Sequence, residues 1–336
     1  HRARPRVSVL MPVRDAARYV EDALASILEQ TVSDLEVVVV DDGSRDATHA
    51  ILARCAAADR RVRLVTQERA GVVVASARAQ LLARASVLAR MDADDIALPD
   101  RLECQLDRLS VGDIGACGGQ VEFFPDAEVR GGMRRYETWL NTLTSPELAA
   151  RDVFVECPIA HPTLMVRREA LEAAGGWRGC AWPEDYDIML RLYRAGVGFC
   201  SVDQPVLRWR EHGRRLTRTD ERYTQAAFVR CKVHHLRAHL GARAGSVVVF
   251  GCGPVGKAFA RELQRQGSRV AAFLEVDPRK IGKTVHGAPV HAMDDAATLV
   301  ELPAVGAVAG AEPRDQVRGA AGRCGWTEGA DFFAVA

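Results

Sequence analysis

The run EVVVVDD at residues 36–42 constrains this chain most. Four consecutive valines leave no polar face, so a strand made from them must be covered on both sides, as the interior strands of parallel sheets are. The run ends in two aspartates and the turn residues Gly43 and Ser44. An earlier apolar run, VSVLMPV at 7–13, leads to Asp15, an expected helix cap, and then to Tyr19, Val20, Ala23, Leu24, Ile27 and Leu28 at helical spacing. The alternation continues with a helix carrying Ile51, Leu52 and Cys55, a strand at 62–66, a helix over 72–84 and a strand at 86–91 that runs into Asp92. Strands alternating with helices predict an α/β fold, a mostly parallel sheet with helices on both faces and right-handed crossovers.

From about 110 to 240 the alternation loosens, with helices expected near 146, 167 and 184 among mixed strands. A second strand–helix alternation starts at Ser246 with VVVFG, after the glycine-flanked stretch Gly241 to Gly245. The expected organisation is therefore a domain over 1–240 and a smaller α/β domain over 241–336, which suits a chain of 336 residues. Lys and Arg number 45 against 44 Asp and Glu, so no global field gathers nucleic acid or anionic lipid, and nucleic acid is excluded as a partner. No apolar run approaches the length of a membrane span and no secretory leader stands at the start. The cytoplasm is the expected compartment, with room for peripheral contact at the inner membrane face. The nine cysteines, without a CxxC pair, read as reduced thiols. His1 in place of Met is what a trimmed or tagged N-terminus would give.

In open parallel sheets ligands sit beyond the carboxyl ends of the strands, and here those ends carry Asp41, Asp42, Asp92, Asp94 and Asp95. Clustered carboxylates resist ionising together unless hydrogen-bond donors or a cation are supplied. A hard divalent cation, Mn2+ or Mg2+, takes oxygen ligands and shares them with phosphates. On extended backbone the DAD spacing sends Asp92 and Asp94 the same way. A lone DxD is more often a turn than a site, but two acidic clusters on one edge favour the site.

The segments VSVLMPVRDAARYVEDALASILEQT, LEVVVVDDGSRDAT and ARMDADDIALPDRL resemble, in this order, the nucleotide-sugar-binding half of family 2 glycosyltransferases, which have the GT-A fold. The resemblance runs from about residue 6 to 240. It implies that Asp41 bonds the base of a nucleoside diphosphate with Pro12 beside it, and that Asp92 and Asp94 form the DxD pair, Asp94 touching the metal, with Asp95 as a companion. Arg78 falls where the family often has an arginine near the nucleotide, although the preceding position, commonly Asn there, is Ala77. WPEDYDIMLRL resembles the family's ED motif, which makes Asp185 the general base on the acceptor hydroxyl and puts Glu184 and Trp182 on the acceptor side. Arg210 and His212 match its RxH pattern at the diphosphate, His212 as a further metal or phosphate contact. The implied activity is a metal-dependent, inverting, hexosyltransferase-type transfer from a nucleoside-diphosphate sugar, a UDP-sugar by expectation, to the hydroxyl of a saccharide or lipid-linked glycan. Gln204 is followed by three residues before Arg208 and Trp209, whereas the processive synthases have QxxRW with two, which argues against a polymerase.

Other residues read as structural. Arg208, Arg214, Arg215, Arg218 and Arg222 alternate with Glu211, Asp220 and Glu221, as on a solvated ion-paired surface. His161, Trp177 and the series Cys231, His235, His239 read as packing. In the C-terminal part Gly251, Gly253 and Gly256 spell GxGxxG between a strand and a helix, with Glu275 at the end of the next apolar run, where it would meet a ribose hydroxyl. Ala258 stands where a phosphate loop would need Ser or Thr. This part resembles the small Rossmann-like domains appended to some sugar-modifying enzymes. Two alternatives stay open: a non-catalytic nucleotide-sugar-binding regulator, and an NAD-dependent oxidoreductase centred on residues 246–336. Oligomeric state is not legible.

Overall fold

A computed structural model describes residues 4–213 and 215–336; His1, Arg2, Ala3 and Arg214 lie outside the described residues. The chain forms two compact units, one of His1–Ala149, Pro158–Cys180 and Arg191–Thr219, the other of Ala150–Cys157, Ala181–Leu190 and Asp220–Ala336. They divide at several points rather than at residue 240. The physical reason lies in the helix Gln225–Leu240, which packs on the helix Pro254–Arg265 of its own unit. It is tied there by Gln266 Nε2 to the Arg230 carbonyl at 3.2 Å and by Arg237 Nε to Ser268 Oγ at 2.9 Å.

The first unit contains an eight-stranded sheet. Its strands are β1 (Val7–Val13), β2 (Leu35–Asp42), β3 (Val62–Gln67), β4 (Val87–Arg90), β5 (Ile96–Ala97), β6 (Ile114–Phe124), β7 (Met165–Arg167) and β8 (Gly198–Arg210), in the order β3-β2-β1-β4-β7-β6-β8-β5. The first four are mutually parallel, β6 and β8 are parallel, and β7 and β5 run against their neighbours. Every residue of β2 is buried, as its valine run requires. The helix Val20–Leu28 covers the sheet with Val20, Ala23, Leu24 and Ile27, the positions that the helical spacing singles out.

Asp15 does not cap that helix, which starts five residues later. It sits at φ +47°, its N–H donating to Ser44 Oγ at 3.0 Å and its carboxylate accepting from the Arg45 N–H at 2.7 Å, so it staples two loops at the sheet edge. A short side chain that bonds locally makes this left-handed backbone tolerable.

The second unit holds a six-stranded sheet of β9 (Ser246–Phe250), β10 (Arg269–Glu275), β11 (Thr284–Val285), β12 (Ala288–Ala292), β13 (Ala304–Gly306) and β14 (Phe332–Ala334). Its order is β11-β12-β10-β9-β13-β14, parallel throughout except for the hairpin of β11 and β12. A Cβ on Gly256 would lie 1.9 Å from the Gly251 carbonyl oxygen, so only glycine lets the helix Pro254–Arg265 start this close to β9. Among the described residues no helix is long and apolar enough to cross a membrane.

Candidate active site

β4 ends at Arg90, in the middle of the first sheet, and the chain turns through Asp92 to Asp95 before β5 begins. Because β5 pairs antiparallel with β8, Ile96 lies opposite Arg208, and the end of β8 is delivered beside the turn. The Arg210 N–H donates to Asp95 Oδ1 at 2.7 Å and Arg210 Nε to the Asp94 carbonyl at 2.6 Å. His212 Nε2 lies 2.8 Å from Asp94 Oδ2. Tyr19 supports both, its ring under the Arg210 guanidinium at 4.6 Å and stacked on the His212 imidazole at 5.5 Å.

Asp92, Asp94 and Asp95 offer carboxylate oxygens within 4.8 Å of one another. The backbone here is a turn, not the extended strand that the DAD spacing suggested, and the turn brings Asp95 into the group together with Asp94. Asp95 is 1% exposed, and its Oδ2 has no hydrogen-bond partner among the described residues. Burial, then the charges of Asp94 and Asp92, push its carboxyl well above the usual range. Asp92 goes the other way. Burial opposes its charge, but the neighbouring Arg90, with smaller help from Arg215, holds its carboxyl below the ordinary value.

That Arg90 pairs with Asp92 Oδ1 at 2.6 Å while itself 3% exposed. Beneath it Arg101, fully buried, donates from Nη2 to the Arg90 carbonyl at 2.6 Å and from Nε to Gln105 at 3.1 Å; burial lowers its pKa to about 10. A buried cation of this kind is retained only with its partners satisfied; here they are the Arg90 carbonyl, Gln105 and Met91 Sδ, and the charges of Asp95 and Asp92 favour the cation. His161, read from sequence as packing, lies near Arg90 and Asp92. Burial and then Arg90 depress its pKa to about 3, so it is neutral, and its Nε2 has no hydrogen-bond partner among the described residues.

The other acidic pair of this unit is wired differently. Asp41 Oδ1 accepts from the Ser44 N–H at 3.0 Å and its Oδ2 lies 3.2 Å from His49 Nδ1. Asp42 accepts from Gln67 Nε2 and from the Ala70 and Gly71 amides at 2.7–2.8 Å. Neither joins the three-carboxylate group. Pro12 pairs in register with Val40, next to Asp41 on the neighbouring strand. Arg78, in the helix Val72–Leu82, reaches Gln67 Oε1 at 3.3 Å. Glu211, expected in a solvated face, is only 3% exposed and clamped by Arg215 at 2.9 Å and by Arg218, because the turn after β8 folds its side chain inward.

In the second unit Glu184 and Asp185 begin the helix Glu184–Arg194. Asp185 Oδ1 accepts the Tyr186 N–H at 2.7 Å. Burial, then the adjacent Glu184 and the more distant Glu156, raise its pKa to about 7. Such a carboxylate takes and returns a proton near neutral pH. Trp182 donates its indole N–H to Asp187 Oδ1 at 3.0 Å, and His235 Nε2 lies 2.9 Å from the same oxygen.

At the glycine-rich loop Glu275 is already engaged. Its Oε2 accepts from the Cys252 N–H at 3.0 Å and from Lys280 Nζ at 2.9 Å, and its Oε1 from the amides of Val276 and Asp277. Gly251 has φ +93°, and a Cβ on Gly253 would meet nothing within 4 Å.

Sequence reasoning missed Tyr19, Arg90 and Arg101, and also Tyr223, whose hydroxyl donates to Glu184 Oε1 at 2.8 Å. Arg90 stands only two residues before Asp92, at the end of β4, a proximity visible in the sequence; nothing local singles out the others.

Residues 8–175, half of the chain, match the family model described as Glycosyl transferase family 2. An O-antigen biosynthesis glycosyltransferase of Escherichia coli, WbnJ, is 28% identical over 70% of this chain and 90% of its own length. A chondroitin synthase of Escherichia coli is 39% identical over 31% of this chain, which spans only 15% of that protein. A solved structure of S. aureus TarS residues 1–349 in complex with UDP-GlcNAc matches with a TM-score of 0.58 at 16% identity, covering 78% of this chain and 72% of that one.

Proposed function

The chain belongs to glycosyl transferase family 2 and has the GT-A fold with a second α/β domain, and from that premise we propose a metal-dependent, inverting transfer of a sugar from a nucleoside-diphosphate sugar to an acceptor hydroxyl. UDP-sugars are the proposed donors, and a saccharide or lipid-linked glycan the proposed acceptor. The observation that carries the reading is the turn at β4: three carboxylates with oxygens within 4.8 Å, one of them buried with an oxygen lacking a partner among the described residues. A donor set of three carboxylates, with the imidazole of His212 beside Asp94, suits Mn2+ or Mg2+, which Asp94 would hold with Asp92, Asp95 and His212 around it. A bound cation there would neutralise the charge that grows on the departing diphosphate.

The protein's own residues supply the rest. Arg210, anchored to the turn by two hydrogen bonds, presents a guanidinium to phosphate oxygens. Asp41, Pro12 and Arg78 are proposed at the nucleoside. Asp185 accepts the proton of the acceptor hydroxyl as its oxygen bonds the anomeric carbon and the bond to the diphosphate oxygen breaks. A single displacement inverts the anomeric centre and needs no carboxylate nucleophile, unlike retaining glycosidases. A pKa near 7 places the requirement on pH: below it Asp185 is protonated, and kcat falls about tenfold per pH unit.

The second unit is read as a Rossmann-like domain, on the strength of its parallel sheet and the glycines at the start of the helix Pro254–Arg265. Its Glu275 is occupied by the loop's own amide and by Lys280, which weighs against a ribose contact and an NAD-dependent oxidoreductase.

Asp185→Asn tests the enzyme reading against that of a non-catalytic regulator. A panel of UDP-sugars with manganese, read by UDP release and by thermal shift, should show transfer reduced about a thousandfold with the nucleotide-induced rise in Tm retained. Full activity of the variant would remove Asp185 from the mechanism.

A further inference from the structure

Glu184 stands next to Asp185, yet its carboxylate is 3% exposed and held inside the second unit. Tyr223 Oη donates to Glu184 Oε1 at 2.8 Å, and Arg222 Nη1 lies 3.4 Å from Oε2. Both come from the short turn Glu221–Tyr223, which Asp220 fixes by accepting from the Arg222 amide at 2.9 Å and pairing with its guanidinium at 2.7 Å. Two further tethers hold the same stretch. Tyr186 Oη donates to the Val153 carbonyl at 2.7 Å, and Asp187 takes the Trp182 indole and His235. Lys232, buried, donates to the carbonyls of Val155 at 2.7 Å and Val335 at 3.0 Å, joining the 150–157 segment to the last strand's exit.

A buried carboxylate with a phenol and a guanidinium as partners is not arranged to meet an incoming sugar. We propose that Tyr223 and Arg222 are positioning residues for Asp185: by fixing the Glu184 carboxylate they lock the first turn of the helix Glu184–Arg194 and keep a negative charge beside the base. This rests on the assignment of Asp185 as base. The groups that face Asp185 are then Glu184 on its own helix, Glu156 on the 150–157 segment, and Tyr223 on the turn at 221–223. The repulsion from Glu184 is the second largest cause of the raised Asp185 pKa, after burial. The turn Glu221–Tyr223 of the second unit thereby contributes to catalysis without touching the acceptor.

Two conservative variants of the full chain separate position from charge, assayed by UDP release from UDP-glucose, UDP-galactose and UDP-N-acetylglucosamine with manganese. Glu184→Gln keeps an oxygen for the Tyr223 hydroxyl but removes the charge. The acid limb of its kcat profile should move about one pH unit lower, since Asp185 then ionises more easily. Tyr223→Phe should lower kcat about tenfold with KM for the donor within about twofold, the loss of one charge-assisted hydrogen bond. An acid limb unmoved in Glu184→Gln together with wild-type kcat in Tyr223→Phe overturns the proposal. So does a Tyr223→Phe variant that loses thermal stability while Glu184→Gln keeps the wild-type pH profile, because that is a structural role alone. Asp185→Asn is run alongside. If it transfers normally, the base assignment fails; if it is inactive while the other two behave as wild type, only the positioning role does.

Discussion

Several strand ends of this protein finish in acid, and two of them, those of β4 and β10, are wired in opposite ways. Beyond β4, Asp92, Asp94 and Asp95 crowd together, and the buried Asp95 keeps an oxygen without a hydrogen-bond partner among the described residues. At the end of β10, Glu275 has both oxygens engaged, by three backbone amides and Lys280. A carboxylate whose acceptor sites are filled by the backbone and side chains around it holds the surrounding loops in shape. On the proposed reading, a group of carboxylates with unmet capacity would take an ion and what the ion binds. Asp42, saturated by Gln67, Ala70 and Gly71, belongs with Glu275.

The largest effect expected from this contrast is at Asp94. Asp94→Asn should lower UDP release from the UDP-sugar panel about a hundredfold or more, with a reduced response to manganese. Undiminished activity would break the comparison on its acidic side. Arg90→Met comes next. It removes the buried partner of Asp92, and metal affinity measured by titration should fall about tenfold to a hundredfold, as for other groups that orient a ligand. The smallest effect on transfer belongs to Glu275→Gln. Rates should stay within about twofold of wild type while the protein loses about 1–3 kcal/mol of unfolding free energy, because a charged acceptor of several donors is weakened. A large loss of transfer with unchanged stability would give Glu275 the functional role that its saturation argues against.

Much of the fold was legible because it rests on local pattern. The valine run of β2 and the spacing of Val20, Ala23, Leu24 and Ile27 need no knowledge of distant residues. The acidic turn was legible as residues but not as geometry. Extended backbone would have paired Asp92 with Asp94 and turned Asp95 away, whereas the turn gathers all three. Asp15 read as a cap because capping and loop-stapling use the same short side chain. Tyr19 and Tyr223 were out of reach for a different reason. Their contacts with Arg210 and Glu184 span 191 and 39 residues of sequence, and no periodicity announces a partner that far away.

The account stands most directly on whether the turn beyond β4 binds a nucleotide through a cation. Calorimetry of UDP binding to the full chain, with manganese and then with the metal removed by chelator, reads this. Binding with manganese that weakens by about tenfold or more without it is the predicted result. Equal UDP affinity in both conditions, or no binding of any nucleoside diphosphate with manganese present, would contradict it.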